Sequence, residues 1–185
     1  MTIASFYSIV IHPPDEVIEQ VRELKVKLYK ESGESFSSRK SIAHITVQEF
    51  QATEDQLNKI ILKLIKITRE QEIFKAVFDK VVYSQETALF IPDNNCRDNF
   101  KKLLERIRLE IKGGIKSRAH ISIGRKLSLE QLEISRKIFS DEVLEFHSNK
   151  IALRKFNDKI GQFEILRIFP FLGEASSEEQ LIFQF

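Results

Sequence analysis

Two five-residue segments constrain this chain more than any other feature: AHITV at 43–47 and AHISI at 119–123. Each reads Ala-His-Ile-hydroxyl-aliphatic, and each falls in the middle strand of a strand–helix–strand–helix–strand series. The first series opens with ASFYSIVIH (4–12), rich in β-branched and aromatic residues and stopped by Pro13-Pro14. Residues 15–30 carry Val17, Val21, Leu24 and Leu28 at helical spacing, with Asp15 and Glu16 at the start and Lys27 and Lys30 at the end. A polar loop (31–40), a strand (41–50), a helix from Thr53 as N-cap to about residue 70, and a strand (73–83) complete it. The second series runs through a strand at 87–92, a helix at 98–111 closed by Gly113-Gly114, and the odd strand at 118–124. A helix capped by Ser128 and a long strand at 142–156 follow. Residues 157–161 read as hairpin material before a strand at 161–172, and the tail from 174 as a loop with a short closing strand.

This order predicts an α+β fold in which units of about 4–83 and 87–156 are duplicated, with 157–185 as a C-terminal extension. No linker separates the units, so residues 1–185 read as a single bilobal domain with helices on the outer sheet faces. Pseudo-two-fold symmetry would set the equivalent strands facing each other across a central cleft, bringing His44 and His120 together.

Side chains alternate along a strand, so His120 and Ser122 share one face, as do His44 and Thr46. Two imidazoles facing one pocket suit phosphodiester cleavage. A base takes the proton of the attacking oxygen, an acid protonates the leaving oxygen, and histidine does either near neutral pH. Thr46 and Ser122 would donate hydrogen bonds to the non-bridging phosphate oxygens. A single His-x-Thr on a strand is most often a structural histidine; two matched copies at equivalent points of a repeat reverse those odds. Zinc is the competing reading, but it usually takes three protein ligands. No carboxylate or third histidine sits at the motif positions, and His12 and His147 would join only by a coincidence of the fold. The expectation is therefore chemistry without a metal or other cofactor.

Bulk properties limit the partners. The net charge is only +2, from 29 basic and 27 acidic residues, so no global polyanion-binding character shows, although a local basic cleft would be hidden in that sum. Arg118 and Arg125 flank the second motif, and Arg39 and Lys40 precede the first; Arg118 and Arg125 are the candidates for phosphate contact. By alternation Arg118 shares the face of His120, whereas Arg125 points away unless the strand ends at Gly124. Most of the fifteen phenylalanines read as core. Phe6, Tyr7 and Tyr83 stay open as ligand contacts, with Lys40 at the rim. Cys96, the single cysteine, excludes an intrachain disulfide and reads as passive. The apolar start carries no basic leader and no apolar run nears the roughly 20 residues of a membrane span, so the expected setting is the cytoplasm, away from membranes. No glycine-rich phosphate loop or catalytic carboxylate pair is present.

AHITV and AHISIGR resemble the paired His-x-Thr/Ser motifs of the two-histidine phosphoesterase superfamily, which includes the 2′-5′ RNA ligase-like RNA 2′,3′-cyclic phosphodiesterases. The duplicated strand–helix order matches that bilobal family over most of the chain. The resemblance implies that His44, Thr46, His120 and Ser122 line a catalytic cleft. It also implies metal-independent hydrolysis of 2′,3′-cyclic phosphates or 2′-5′ bonds in RNA ends or small nucleotides, with ligation as the reverse. It favours His44 as acid and His120 as base, an order the residues themselves do not fix. Gly124-Arg125 is similar to the family's second motif. The QEFQ after the first motif departs from the more apolar, glycine-containing stretch of relatives, which touches substrate choice. Two other readings remain: a non-catalytic nucleotide- or RNA-binding module with the same cleft, and a purely structural duplicate.

Overall fold

In a computed structural model, which describes residues 4–175, each half of the chain donates its fourth strand to the sheet of the other half. The first half runs β1 (Ser5–Ile11), α1 (Asp15–Ser32), β2 (Ile45–Ala52), α2 (Glu54–Glu70), β3 (Phe74–Phe78) and β4 (Lys80–Tyr83). The second runs β5 (Thr87–Ile91), α3 (Asn94–Glu110), β6 (Ile121–Arg125), α4 (Leu129–Phe139), β7 (Leu144–Ser148) and β8 (Lys150–Asn157), with β9 (Gln162–Pro170) appended. One sheet has the order β2-β1-β8-β9, the other β4-β5-β6, and β3 pairs antiparallel with β7. The two sheets are thus built alike: a motif strand at the edge, the opening strand beside it, then a strand supplied by the other half. The β3–β7 pair is where the halves cross.

The stretches expected as single strands at 73–83 and 142–156 are each divided, at Asp79 and at Asn149, because their two parts pair in different sheets. The core lies between the sheets and the helices. Val17, Val21, Leu24 and Leu28 of α1 and Leu57, Leu64 and Ile67 of α2 are buried, and Phe78 packs on Phe100 and Phe146 at the crossing. Thr53 and Ser128 cap α2 and α4 as expected, each within a capping box completed by Gln56 and Gln131. Helix α3 starts earlier than periodicity suggests, at Asn94, because the Asp93 carboxylate accepts from Cys96 N. Gly33 (φ 70°) ends α1 and Gly161 (φ 66°) turns the β8–β9 hairpin. Among the described residues no helix is long and apolar enough to cross a membrane. Residues 176–185, most of the tail segment, lie outside those described.

Gly113 and Gly114 do not cap α3 as left-handed residues; Ile111 does so in an extended conformation. Gly113 is required for another reason, since a Cβ there would lie 2.3 Å from Glu49 O and 2.6 Å from Gln48 Cδ on β2, while one on Gly114 meets nothing within 4 Å. Gly113→Ala is expected to cost about 1–3 kcal/mol by overpacking the junction between α3 and β2. Gly114→Ala is expected to be neutral or stabilising by up to roughly 1 kcal/mol. Parallel urea denaturation of the two variants checks the contrast.

Candidate active site

Both motif histidines sit one residue ahead of their strands, at the ends of loops, and both rings are fixed in the same way. His44 Nδ1 lies 2.7 Å from Ile42 O, and His120 Nδ1 lies 2.9 Å from Arg118 O, the carbonyl two residues back in each case. A carbonyl only accepts, so Nδ1 carries the hydrogen, and Nε2 of the neutral ring keeps its lone pair. The two half-buried rings line one cavity of about 510 Å³, together with Thr46, Arg125 and Arg154. A smaller cavity of about 160 Å³ adjoins it, shares His44 and Arg125 with it, and adds Ser122.

Each motif strand carries a β-bulge at the same motif position. In β2 the pairing with β1 skips Val47, and in β6 the pairing with β5 skips Ile123. The extra residue resets the alternation of side chains beyond it. For that reason Arg125, which strict alternation would turn away, joins the face of Ser122; its Nε donates to Ser122 Oγ at 3.1 Å. The same reset in β2 brings Glu49, the residue five after His44 as Arg125 is five after His120, into the cavity as the one carboxylate among its lining residues.

Two cations unmarked in the sequence reading, Arg154 and Lys25, shape the electrostatics together with His12. Arg154 of β8 is buried; its Nη2 donates to Ser8 Oγ at 3.0 Å, its guanidinium stands 5.0 Å from the Phe163 ring centroid, and its Nε has no partner among the described residues. Burial lowers its pKa to about 10, and Glu49 opposes that shift. Lys25 is buried on α1, with Nζ 2.8 Å from Ser41 O and 3.0 Å from Ser41 Oγ; burial first, then Arg125, lowers its pKa to about 8. Its signal in the sequence is a base four residues after Val21 and three before Leu28, inside an apolar stripe. Burial first, then the charge of Arg154, with smaller effects of Lys25 and Arg125, pull His44 down to about 3 against the bond to Ile42 O. His12 is the third histidine lining the cleft, lowered by burial and by Lys150.

Of the other expected contacts, Lys40 lines the cavity. Arg118 does not: β6 begins only at Ile121, so alternation does not reach back to it, and its side chain lines a neighbouring groove beside α3 while its carbonyl holds His120. Tyr7 is core, stacked on Phe50. Tyr83 belongs to the far strand of the second sheet, where its hydroxyl donates to Ser135 O on α4. Phe6 packs behind Phe156 and Phe163, and these two supply the aromatic wall of the cavity. His147 lies on β7, opposite Lys75, away from the cleft. Cys96 donates to Val77 O, and burial raises its thiol to about 11. No cluster of three or more His, Cys, Asp or Glu side chains suited to a metal ion occurs among the described residues.

No family model matches the sequence, and no curated protein matches it well enough to count as a relative. Solved structures do match in fold. E. coli LigT complexed with phosphate aligns with a TM-score of 0.66 at 12% identity, over 91% of this chain and 98% of that one. TT0787 of Thermus thermophilus aligns at 0.62 and 16% identity, over 92% and 100%. Usb1 of Kluyveromyces marxianus, solved with uridine monophosphate, aligns at 0.52 and 10% identity, over 90% and 97%. The chain has the LigT-like fold that the resemblance of its motifs implies.

Proposed function

We propose that this protein is a metal-independent phosphoesterase that opens 2′,3′-cyclic phosphates or cleaves 2′-5′ phosphodiesters, in RNA ends or small nucleotides, using His44 and His120 as acid and base. The observation that carries this reading is the repeated Nδ1–carbonyl bond, which leaves both rings of one cavity with Nε2 as the working nitrogen. The phosphoryl group would sit between the rings. Thr46 and Ser122 would bond its non-bridging oxygens, with Arg125 and Arg154 balancing its charge. One Nε2 takes a proton from water as the new O–P bond forms; the other protonates the ribose oxygen as its bond to phosphorus breaks. The base ends with the proton the acid has lost, and solvent exchange resets the pair. In ligation a ribose hydroxyl would take the place of water as the attacking group, its oxygen forming the new bond to phosphorus as the ring oxygen leaves and is protonated. LigT structures complexed with phosphate, 3′-AMP, NADP+ and ATP support nucleotide ligands for a cleft of this form.

Charge divides the labour. Without an anion, burial first and then the charges of Arg154, Lys25 and Arg125 keep His44 neutral, the form of a base. An entering phosphate offsets those cations and raises the His44 pKa. The substrate thus charges its own acid, which is the role the resemblance gives His44.

Purified protein in EDTA is expected to turn over 2′,3′-cyclic nucleotides with a bell-shaped pH–rate profile, and His44→Ala and His120→Ala should each lower kcat by about 10²–10⁴-fold. Full activity in either variant would refute the pairing, and salt-dependent binding without product would favour the non-catalytic module.

A second expectation concerns His44 alone. Its folded pKa lies below its ordinary 6.5, so between pH 6.5 and about 3 the unfolded chain binds a proton that the folded chain refuses. Its contribution to stability is therefore complete above pH 6.5 and declines as pH falls through that window. Replacement by Asn should flatten this slope in denaturation curves. NMR titration should find the His44 pKa rising on addition of 3′-AMP; no rise would remove it from the acid role.

A further inference from the structure

Arg108 of α3 divides one edge of its guanidinium between the two motifs. Nε donates to Val47 O at 2.9 Å, and Nη2 donates to Ser117 O at 2.8 Å. Val47 is the bulge residue three positions after His44, and Ser117 stands three positions before His120. We infer that Arg108 is a positioning residue which sets the separation of the two histidines by tying the backbone that leaves one to the backbone that enters the other.

The inference rests on the proposed function for its consequence, but its geometry stands apart from it. The Nε–H and Nη2–H bonds belong to one rigid plane, so their directions are fixed relative to each other. Two carbonyls held by that plane are held with respect to one another. Val47 supplies a carbonyl that needs such a partner, because β2 is an edge strand and its bulge leaves Val47 out of the pairing with β1. Arg108 lines the groove beside α3 and not the histidine cavity, so it acts through the main chain and not on substrate.

Neighbouring bonds strengthen the same junction. The buried Gln48 side chain donates to Ile111 O at 3.2 Å and accepts from Ile115 N at 3.0 Å, and Gly114 N donates to Glu49 O. Together these fasten the segment leading into His120 onto the strand leaving His44. The other half has a matching tie, since Ser37 N and Oγ donate to Arg125 O at 3.3 and 3.1 Å and so join the segment leading into His44 to the strand leaving His120, but no arginine side chain takes part in it. There the carbonyl equivalent to Ser117 O is Ser41 O, and Lys25 bonds it together with Ser41 Oγ, so that cation holds a single loop of its own lobe. Of these two cations only Arg108 spans both motifs. Acid–base transfer across one phosphorus is sensitive to such a spacing, since a displacement of about 1 Å can cost on the order of 100-fold in rate.

The test compares Arg108→Met, Arg108→Lys and, as a control that destabilises without touching the junction, Leu64→Ala in the buried face of α2. Per folded molecule, Arg108→Met should lose roughly 10–100-fold in kcat on a 2′,3′-cyclic nucleotide. Its KM and its affinity for inorganic phosphate should stay near the wild-type values, because the phosphate-binding side chains remain. Arg108→Lys keeps the charge and the fold but lacks the two fixed donors, so its kcat should fall between the others. In NMR spectra both imidazole signals should move in the Arg108 variants and neither in Leu64→Ala. Unchanged kcat per folded molecule in Arg108→Lys and Arg108→Met, or ring signals that move no more than in the control, overturns the inference. An inactive wild-type protein would sink the proposed reaction, and the ring signals would then still judge the clamp.

Discussion

The antiparallel pairing of β3 with β7 is the contact on which the rest of the molecule depends. An antiparallel pair has a local two-fold relation of its own, Phe74 opposite Ser148 at one end and Phe78 opposite Leu144 at the other. Beyond it the two segments part, β4 to complete the sheet of the second half and β8 to complete the sheet of the first. Neither sheet is whole without the other half, so the lobes cannot be independent domains joined by a linker. The exchange also decides where the motif strands lie. Each opening strand has one side taken by the borrowed strand and the other by its motif strand, which leaves β2 and β6 at the edges.

Edge position and bulge explain the chemistry available there. An edge strand has free main-chain groups, and a bulge re-aims the side chains that follow it. The free groups of β2 are used across the cleft floor by Arg108 and Gly114, and the bulges deliver Glu49 and Arg125 into the cavity. The lobes are alike in backbone and opposite in charge at these two positions. On the proposed function a phosphate would be drawn towards Ser122 and Arg125, with Arg154 beside Glu49 on the other wall. The carboxylate there would disfavour a second anionic group and would offer an acceptor to a hydroxyl or amine of a bound nucleotide.

Much of this was legible from the letters, and what was not has physical causes. Caps at Thr53 and Ser128 are local bonds, so local sequence announced them. The duplicated histidines were legible because the repeat supplied its own control. Arg125 was obscured because alternation assumes an unbroken strand, and the bulge that breaks it is a property of pairing with β5. The same assumption, carried back past the strand's first residue, misplaced Arg118. The divided strands at Asp79 and Asn149 were invisible because hydrophobic pattern reports burial and not which sheet does the burying. Tyr7 and Tyr83 read as open because aromatic residues on strands look alike until the sheet has a core side. Lys25 and Arg154 show the reverse: a cation within an apolar pattern is itself a signal, yet its purpose appears only once its partners are placed.

Identical hydrogen bonds at Nδ1 give both rings the same tautomer, so the backbone repeat cannot by itself make one ring an acid and the other a base. Something outside the repeat must distinguish them, and the departures from two-fold likeness are where to look. Arg154 comes from β8, a strand borrowed by the first lobe, and it stands among the charges that lower His44. Lys25 adds to the same effect from α1, whereas in the second lobe the cation that meets the equivalent carbonyl is spent on the bridge to Val47. The duplication therefore supplies two like nitrogens, and burial together with the cations that do not obey it lowers the pKa of one of them, His44.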